Sequence, residues 1–268
     1  MILLTNDDGV AAPGIRHAFE VLRELDEVMV VAPDRQMSAT GHGITVDADI
    51  MVRPVTIFGG ASAYEVAGTP ADCVKVALAG LCPRPPALVV SGINLGANSG
   101  TNVFYSGTVA AAMEGTILGC QAMAVSLATF TAPHFETAAR YAGRLAAILL
   151  GAPLPGGVFL NVNVPNVEAS RIMGVAVTRQ GTGRYGDEYA VAPRGDAAGY
   201  RLVGDYYMPD LGDGGDGDGY PSDDDVLGRM LVSVTPMRLV LTAGDEVARM
   251  RELFVGLGNG VTVEELKG

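Results

Sequence analysis

Met1 to Gly9 reads M-I-L-L-T-N-D-D-G, and the rest of the chain is organised around it. Ile2, Leu3 and Leu4 make an apolar run too short for a helix but suited to a strand buried on both faces. The run stops abruptly in polar residues, so Asp7 and Asp8 stand at the strand's carboxyl end. A helical pattern follows from Gly14 to Leu25, which makes this an α/β sheet, and in open sheets of that kind ligands bind beyond the carboxyl ends of the strands. Side chains on a regular strand alternate between faces, so the two carboxylates converge only if the chain has already left the strand. Gly9 permits that turn. Adjacent carboxylates repel each other, and with no cationic residue near in sequence a hard divalent cation is the natural third party. A plainer reading stands beside this one: N-D-D-G is also good turn chemistry, and Asp before a helix is a common cap.

The 268 residues can bury a substantial core, and nothing demands two separately folding domains. Apolar residues make up 49%, spread along the chain as a well-covered parallel sheet requires. No apolar run reaches membrane-spanning length and the chain starts directly with a strand, so the expected location is cytoplasmic, away from the membrane. Cys73, Cys82 and Cys120 match no zinc spacing and read as buried, inert thiols. The net charge of −12 excludes a nucleic-acid duplex as partner, because that binding needs a basic footprint. Eight aspartates and no Lys or Arg fall between positions 205 and 225, which leaves the main body only mildly acidic.

Val28 to Ala32 reads as a second buried strand, completing a β-α-β unit. Its exit, Pro33 to Gly43, leaves from the same sheet edge as Asp7 and Asp8, so Ser38, Thr40 and His42 can reach that site. A lone His is more often a surface or hydrogen-bonding residue than a ligand, and His42 is read so. Residues 45 to 66 alternate as strands with a hairpin around Gly59 and Gly60. Thr69 and Pro70 open a helix that Ala71 to Leu81 carries until the prolines at 83, 85 and 86. Ala87 to Val90 is another buried strand, followed by a polar, glycine-rich loop from Ser91 to Thr108. A connection of that length is uncommon in a compact domain unless it has a function. It ends in S-G-T before a helix, Val109 to Leu118, whose free N–H groups, with the hydroxyls of Ser106 and Thr108, form an anion site. It is not the nucleotide P-loop, which needs Lys after its final Gly.

A strand at Ala122 to Leu127, a long amphipathic helix at Phe135 to Leu150, and strands at Val158 to Val164 and Arg171 to Thr178 continue the pattern. From Gly181 periodicity is lost and Gly, Asp and Tyr dominate. D-G-G-D-G-D-G, Asp213 to Gly219, fails both calcium-loop spacings and reads as a flexible, solvated acidic loop. Order returns in a strand from Leu231 to Thr235, closed by Pro236, and a helix from Asp245 to about Leu257. The expected fold is α/β: a Rossmann-like, mostly parallel sheet with helices on both faces, plus a smaller C-terminal extension with β-hairpin elements. By character the chain divides into a core at 1–180, a Gly/Asp/Tyr-rich extension at 181–230, and a terminal strand and helix at 231–268.

T-N-D-D-G at Thr5, S-A-T-G-H at Ser38, G-T-P-A-D-C-V at Gly68, S-G-I-N-x-G-x-N-x-G at Ser91, Y-S-G-T-V-A-A-A-M-E-G at Tyr105, N-V-N-V-P at Asn161 and V-S-V-T-P at Val232 together resemble the survival protein SurE family. Seven ordered motifs are far more specific than any one of them. The resemblance implies a metal-dependent phosphomonoesterase that converts nucleoside 5′-monophosphates, with extension to 3′-monophosphates, to nucleoside and phosphate. It also implies Mg²⁺ or Mn²⁺ as cation, and a homodimer or homotetramer joined partly through C-terminal elements. Carried over by position, the metal ligands are Asp7, Asp8, Ser38 and Asn94; the catalytic pair is Asp7 and Asp8, either of which can orient the attacking water or attack directly. Asn98, Ser106, Gly107 and Thr108 hold the phosphate. The chain departs from the family after Pro193, Arg194 and Gly195, where Asp196, two alanines and Gly199 replace the usual aromatic residues.

The chemistry of the residues agrees. With Arg35 the only basic residue in the site segments, a cation and a helix N-terminus must supply the potential that a phosphate dianion needs. Rival readings are a nucleotide-sensing protein without turnover and a broad phosphatase acting on other esters. An aspartyl-phosphate phosphatase of the haloacid-dehalogenase type is a further rival. Its two Asp residues are separated by one residue and answered by a downstream Lys, and Asp7 and Asp8 fit neither requirement.

Overall fold

Ile2 and Leu4 point into one apolar cluster and Leu3 into another, as alternation along a strand dictates. The sheet is therefore covered twice, and its first strand is buried throughout. The computed structural model describes residues 1–186, 189–194, 197–204, 206–207 and 219–254. Its elements begin with β1 (Ile2–Thr5), α1 (Pro13–Leu22), β2 (Val28–Pro33), β3 (Val52–Ile57), β4 (Ala61–Val66) and α2 (Pro70–Val76). There follow β5 (Leu88–Leu95), α3 (Gly107–Ile117), β6 (Ala122–Ala128), α4 (Phe135–Gly151), β7 (Val158–Pro165) and β8 (Gly174–Val177). The C-terminal part carries β9 (Arg184–Tyr185), β10 (Tyr189–Arg194), β11 (Ala197–Leu202), β12 (Tyr206–Tyr207), α5 (Asp223–Gly228), β13 (Leu231–Arg238) and α6 (Gly244–Phe254).

Nine strands form one sheet in the order β3-β4-β2-β1-β5-β6-β7-β13-β8. Neighbours are parallel except β3 with β4 and β13 with β7. Ile15, Phe19 and Leu22 of α1 and Phe135, Ala138 and Ala142 of α4 cover the Ile2 face, while Cys73 and Val74 of α2 and Val109 and Ala112 of α3 cover the Leu3 face. Gly14 lets α1 lie directly on β5: a Cβ there would stand 1.9 Å from the Ile93 carbonyl oxygen. The α/β arrangement with helices on both faces is as expected. Among the described residues, no helix is long and apolar enough to cross a membrane.

Three local expectations change. The stretch from Ser91 to Leu95, read as loop, is strand: Thr5 pairs with Ser91 and Asn94 with Ser126, and all but Leu95 are buried. Polarity misled there, because Ser91 and Asn94 are buried in the sheet rather than turned to solvent. The terminal strand runs past Pro236 to Arg238. Beyond Val234 it pairs with β7 alone, where a residue lacking an N–H is tolerated. The hairpin expected in the C-terminal extension is present as β10 and β11, which pair with Tyr189 opposite Leu202 and Val191 opposite Tyr200. Finally, Asp223, Asp224 and Asp225 are the first turn of α5, capped by the Ser222 hydroxyl. The rest of the acidic stretch, 205 and 208–218, lies outside the described residues, as do Gly195 and Asp196 and the end of the helix read to Leu257.

Candidate active site

The chain leaves β1 toward α1 on one face and leaves β5 toward α3 on the other, so the loops after these adjacent strands diverge. Divergence of that kind opens a crevice at the carboxyl edge of the sheet. Asn6 shapes the first loop by donating through Nδ2 to the Gly9 carbonyl at 2.9 Å and accepting at Oδ1 from the Gly9 N–H at 3.2 Å. Gly9 sits at φ +102°, which few other residues adopt. The loop after β2 is tied on through the Met37 N–H, 2.7 Å from the Asp7 carbonyl.

Asp7, Ser38, Asn94, Asn98 and Ser106 line one cleft of about 480 Å³ in this crevice. Asp8, Gly107 and Thr108 do not line it, but each touches a residue that does. Gln36 Nε2 donates to Ser38 Oγ at 2.9 Å and reaches Asp8 Oδ1 at 3.5 Å, while the Leu95 N–H bonds Asp8 from β5. Thr108 gives both its hydroxyl, at 2.5 Å, and its backbone N–H to Asp7. A Cβ on Gly107 would lie 2.9 Å from Asp7 Cβ and 3.2 Å from Asp7 Oδ2, so the bare Cα lets this carboxylate meet the start of α3. Ser106 caps α3 by accepting from the Val109 N–H at 3.0 Å, which leaves its own proton to donate.

Asn98 sits in a buried amide network. Its N–H donates to Asn163 Oδ1 at 2.8 Å and its Nδ2 to Ser126 Oγ at 2.9 Å, while its carbonyl accepts from Asn161 Nδ2 at 2.7 Å. One Nδ2 hydrogen remains for a ligand. Asn94 Nδ2 donates to the Gly96 carbonyl at 2.8 Å, and this fixes the amide so that Oδ1 is the atom left over.

Asp7 is 4% exposed and pushed up to about 6. Burial is the largest cause, opposed by the Thr108 hydroxyl and reinforced by Asp8. Burial also raises Asp8, against hydrogen bonds from Leu95 and Gln36. Among the described residues neither carboxylate has an ion pair, and no Lys or Arg lines the cleft. Arg35, the one basic residue in these segments, pairs with Asp34 at 3.5 Å. Paired carboxylates in low dielectric with no counter-charge, beside a hydroxyl and a fixed amide oxygen, suit a hard divalent cation with oxygen ligands. Among the described residues no group of three or more His, Cys, Asp or Glu is placed to hold a metal.

His42 is a hydrogen-bonding residue, as expected: its Nε2 lies 2.8 Å from Glu114 Oε2, whose other oxygen takes Lys75 Nζ at 3.0 Å. Of the three thiols only Cys73 is fully buried; burial raises all three, and none is in a disulfide. Sequence reasoning missed Gln36, the apolar wall of Phe130, Tyr185, Tyr189 and Leu202, and the amide pair at Asn161 and Asn163. The amides had left a signal, since two asparagines at i and i+2 inside an apolar strand share one face. Phe130 had left none.

The family model described as survival protein SurE matches residues 2–187. The chain is 46% identical over 259 residues to the 5′-nucleotidase SurE of Thermosynechococcus vestitus, covering 94% of this chain and 95% of that protein. It is 44% identical over 266 residues to the 5′-nucleotidase SurE of Moorella thermoacetica, covering 97% and 99%. The crystal structure of the SurE protein from Aquifex aeolicus superposes with a TM-score of 0.80 at 34% identity, over 94% of this chain and 98% of that one.

Proposed function

The chain belongs to the survival protein SurE family, and from that membership we propose that its cleft hydrolyses nucleoside 5′-monophosphates, and 3′-monophosphates besides, to nucleoside and phosphate. The observation that carries this reading is the buried, unneutralised Asp7 carboxylate, with Asp8 next to it, meeting the start of α3 in the cleft that Asp7 and Ser106 line. Asp7, Asp8, Ser38 and Asn94 would hold a divalent cation, Mg²⁺ or Mn²⁺. When bound, it would supply Lewis acidity toward the phosphoryl group and lower the pKa of a water at neutral pH.

The protein's own groups do the rest. A phosphate monoester carries about −1.5 to −2 charge at neutral pH. The start of α3 answers that charge through the Gly107 N–H and the Ser106 hydroxyl, and Asn98 adds its remaining amide hydrogen. Thr108, committed to Asp7 Oδ1, is a support for that carboxylate rather than a phosphate ligand. Asp7 Oδ2 is then the oxygen that faces the phosphate end, placed to orient the attacking water and take its proton. Phe130 and Tyr105 offer the nucleoside a largely apolar wall. Tyr189, Val191, Tyr200 and Leu202 leave the β10–β11 hairpin exposed, which supports assembly as a homodimer or homotetramer through this element.

The test is phosphate release from AMP, GMP and a generic aryl phosphate after EDTA treatment and after return of Mn²⁺ or Mg²⁺. Cation-dependent turnover with preference for the nucleotides is expected. Tight binding without turnover would favour a sensing protein instead, and preference for the aryl ester a broad phosphatase.

A further inference from the structure

Asp223 is fully buried at the start of α5, 123 residues from Gly100 in sequence, and its carboxylate serves groups outside its own helix. Oδ1 accepts from the Gly181 N–H at 2.7 Å and from the Asp224 N–H at 2.9 Å, and both oxygens lie 3.3 Å from the Gly100 N–H. Its neighbour joins in: Asp224 Oδ2 accepts from the Gly183 N–H at 3.1 Å. The two segments so gathered also bind each other, through Gln180 Nε2 to the Gly100 carbonyl at 2.8 Å and through the Thr101 hydroxyl to the Gly183 carbonyl at 2.8 Å. Gly181 has to be glycine for this approach, since a Cβ there would come within 2.1 Å of Asp224 Oδ2.

Helix capping does not account for the arrangement, because Ser222 already caps α5. Burying a carboxylate is unfavourable unless hydrogen bonds compensate it, so its placement among Gly100 and Gly181 answers some other need. Gly100 lies two residues after Asn98 and opens the short 3₁₀ turn Gly100–Phe104 that leads through Tyr105 to Ser106. On the other side, Gly181 and Gly183 lead to Tyr185 in the cleft wall.

We propose that Asp223 is a positioning residue for the phosphate end of the cleft, holding Gly100 so that Asn98 and Ser106 keep their spacing while fixing the Tyr185 segment against them. This rests on the functional reading above, and the phosphate end is what it organises. The metal end, built on β1 and β5, is independent of it.

The experiment compares the full-length protein with Asp223→Ala, Asp223→Asn and Gly181→Ala. Its readouts are hydrogen exchange across residues 98–106 without metal, inhibition of AMP hydrolysis by inorganic phosphate, and the Mn²⁺ concentration for half-maximal rate. Asp223→Ala is expected to speed exchange in that segment and to weaken phosphate inhibition by roughly ten- to hundredfold, the range for a lost hydrogen bond to a charged group. The KM for AMP should rise in parallel and the Mn²⁺ requirement should stay put. Asp223→Asn, which keeps one acceptor oxygen, should recover part of the loss. Should Asp223→Ala fail to fold, Asp223→Asn and Gly181→Ala carry the same comparison. Unchanged exchange and phosphate inhibition in a variant that merely melts lower would overturn the proposal, as would a Mn²⁺ requirement that shifts as far as the phosphate constant. A wild-type protein that does not hydrolyse AMP would sink the functional reading alone, because exchange across 98–106 still decides the role of Asp223.

Discussion

Gly107→Ala sets two physical effects against each other, and the structure decides between them. Gly107 is the first residue of α3 and its φ is not positive, so on propensity alone alanine should stabilise the helix by roughly 0.5–1 kcal/mol. The added methyl, however, would meet Asp7 Cβ at 2.9 Å, Pro70 Cγ at 3.0 Å and Asp7 Oδ2 at 3.2 Å. None of these can yield cheaply: Pro70 is a ring at the start of α2, and Asp7 is held by the Thr108 hydroxyl and by the Met37 N–H on its carbonyl. Overpacking of this kind costs about 1–3 kcal/mol, which outweighs the propensity gain. The melting temperature should therefore fall, by roughly 2–8 °C in a chain of this size. Asp7 would be displaced by a few tenths of an ångström or more from the start of α3, and misplacement on the ångström scale costs about a hundredfold in rate. The assay is AMP hydrolysis at saturating Mn²⁺, with thermal melting run beside it. A variant that melts higher and keeps near-wild-type kcat/KM would refute the contact between Gly107 and Asp7 as a catalytic constraint.

Asn94→Ala should raise the Mn²⁺ requirement and be partly rescued by excess cation, whereas Ser106→Ala should slow turnover without rescue; the reverse pattern in a metal titration would exchange their roles. In the metal-free protein Asp7 and Asp223 are both pushed up to about 6 from 3.8, chiefly by burial, so between those values the folded chain holds protons that the unfolded chain has lost. Stability should fall as pH rises from about 4 to about 6, with a shallower fall in Asp223→Asn, and a melting temperature that climbs over that window would contradict it. The lowered groups, Asp26 and Asp72, act in the opposite sense but only below that window. His42→Ala leaves Glu114 with Lys75 as its remaining ion-pair partner, and should cost about 1–3 kcal/mol in thermal melts and loosen the Ser38 loop enough to raise the Mn²⁺ requirement.

What could be read ahead of the structure depended on how local its cause was. The three apolar residues before N-D-D-G fix β1 and hence the position of Asp7 and Asp8, because strand burial and the strand's end are both written in adjacent residues. Ser106 was legible for the same reason, as a cap next to its helix. Asn94, which lines the cleft, was read as part of a loop, since a polar side chain in a buried strand looks like a break in it. Asp223 was one aspartate among eight in a glycine-rich stretch, and nothing next to it in the sequence sets it apart from the others. Its burial comes from contacts with Gly100 and Gly181, which no periodicity records. Gln36 and Phe130 were invisible likewise, because each matters only through what the fold lays against it.

The most direct test of the account is anomalous diffraction from crystals of the protein soaked in Mn²⁺ and inorganic phosphate. One manganese peak is expected among Asp7, Asp8, Ser38 and Asn94 at roughly 2.0–2.6 Å from their oxygens, with phosphate between it and the start of α3 at Ser106 and Gly107. Manganese bound elsewhere, or phosphate away from that helix start in a protein that still hydrolyses AMP, would contradict it.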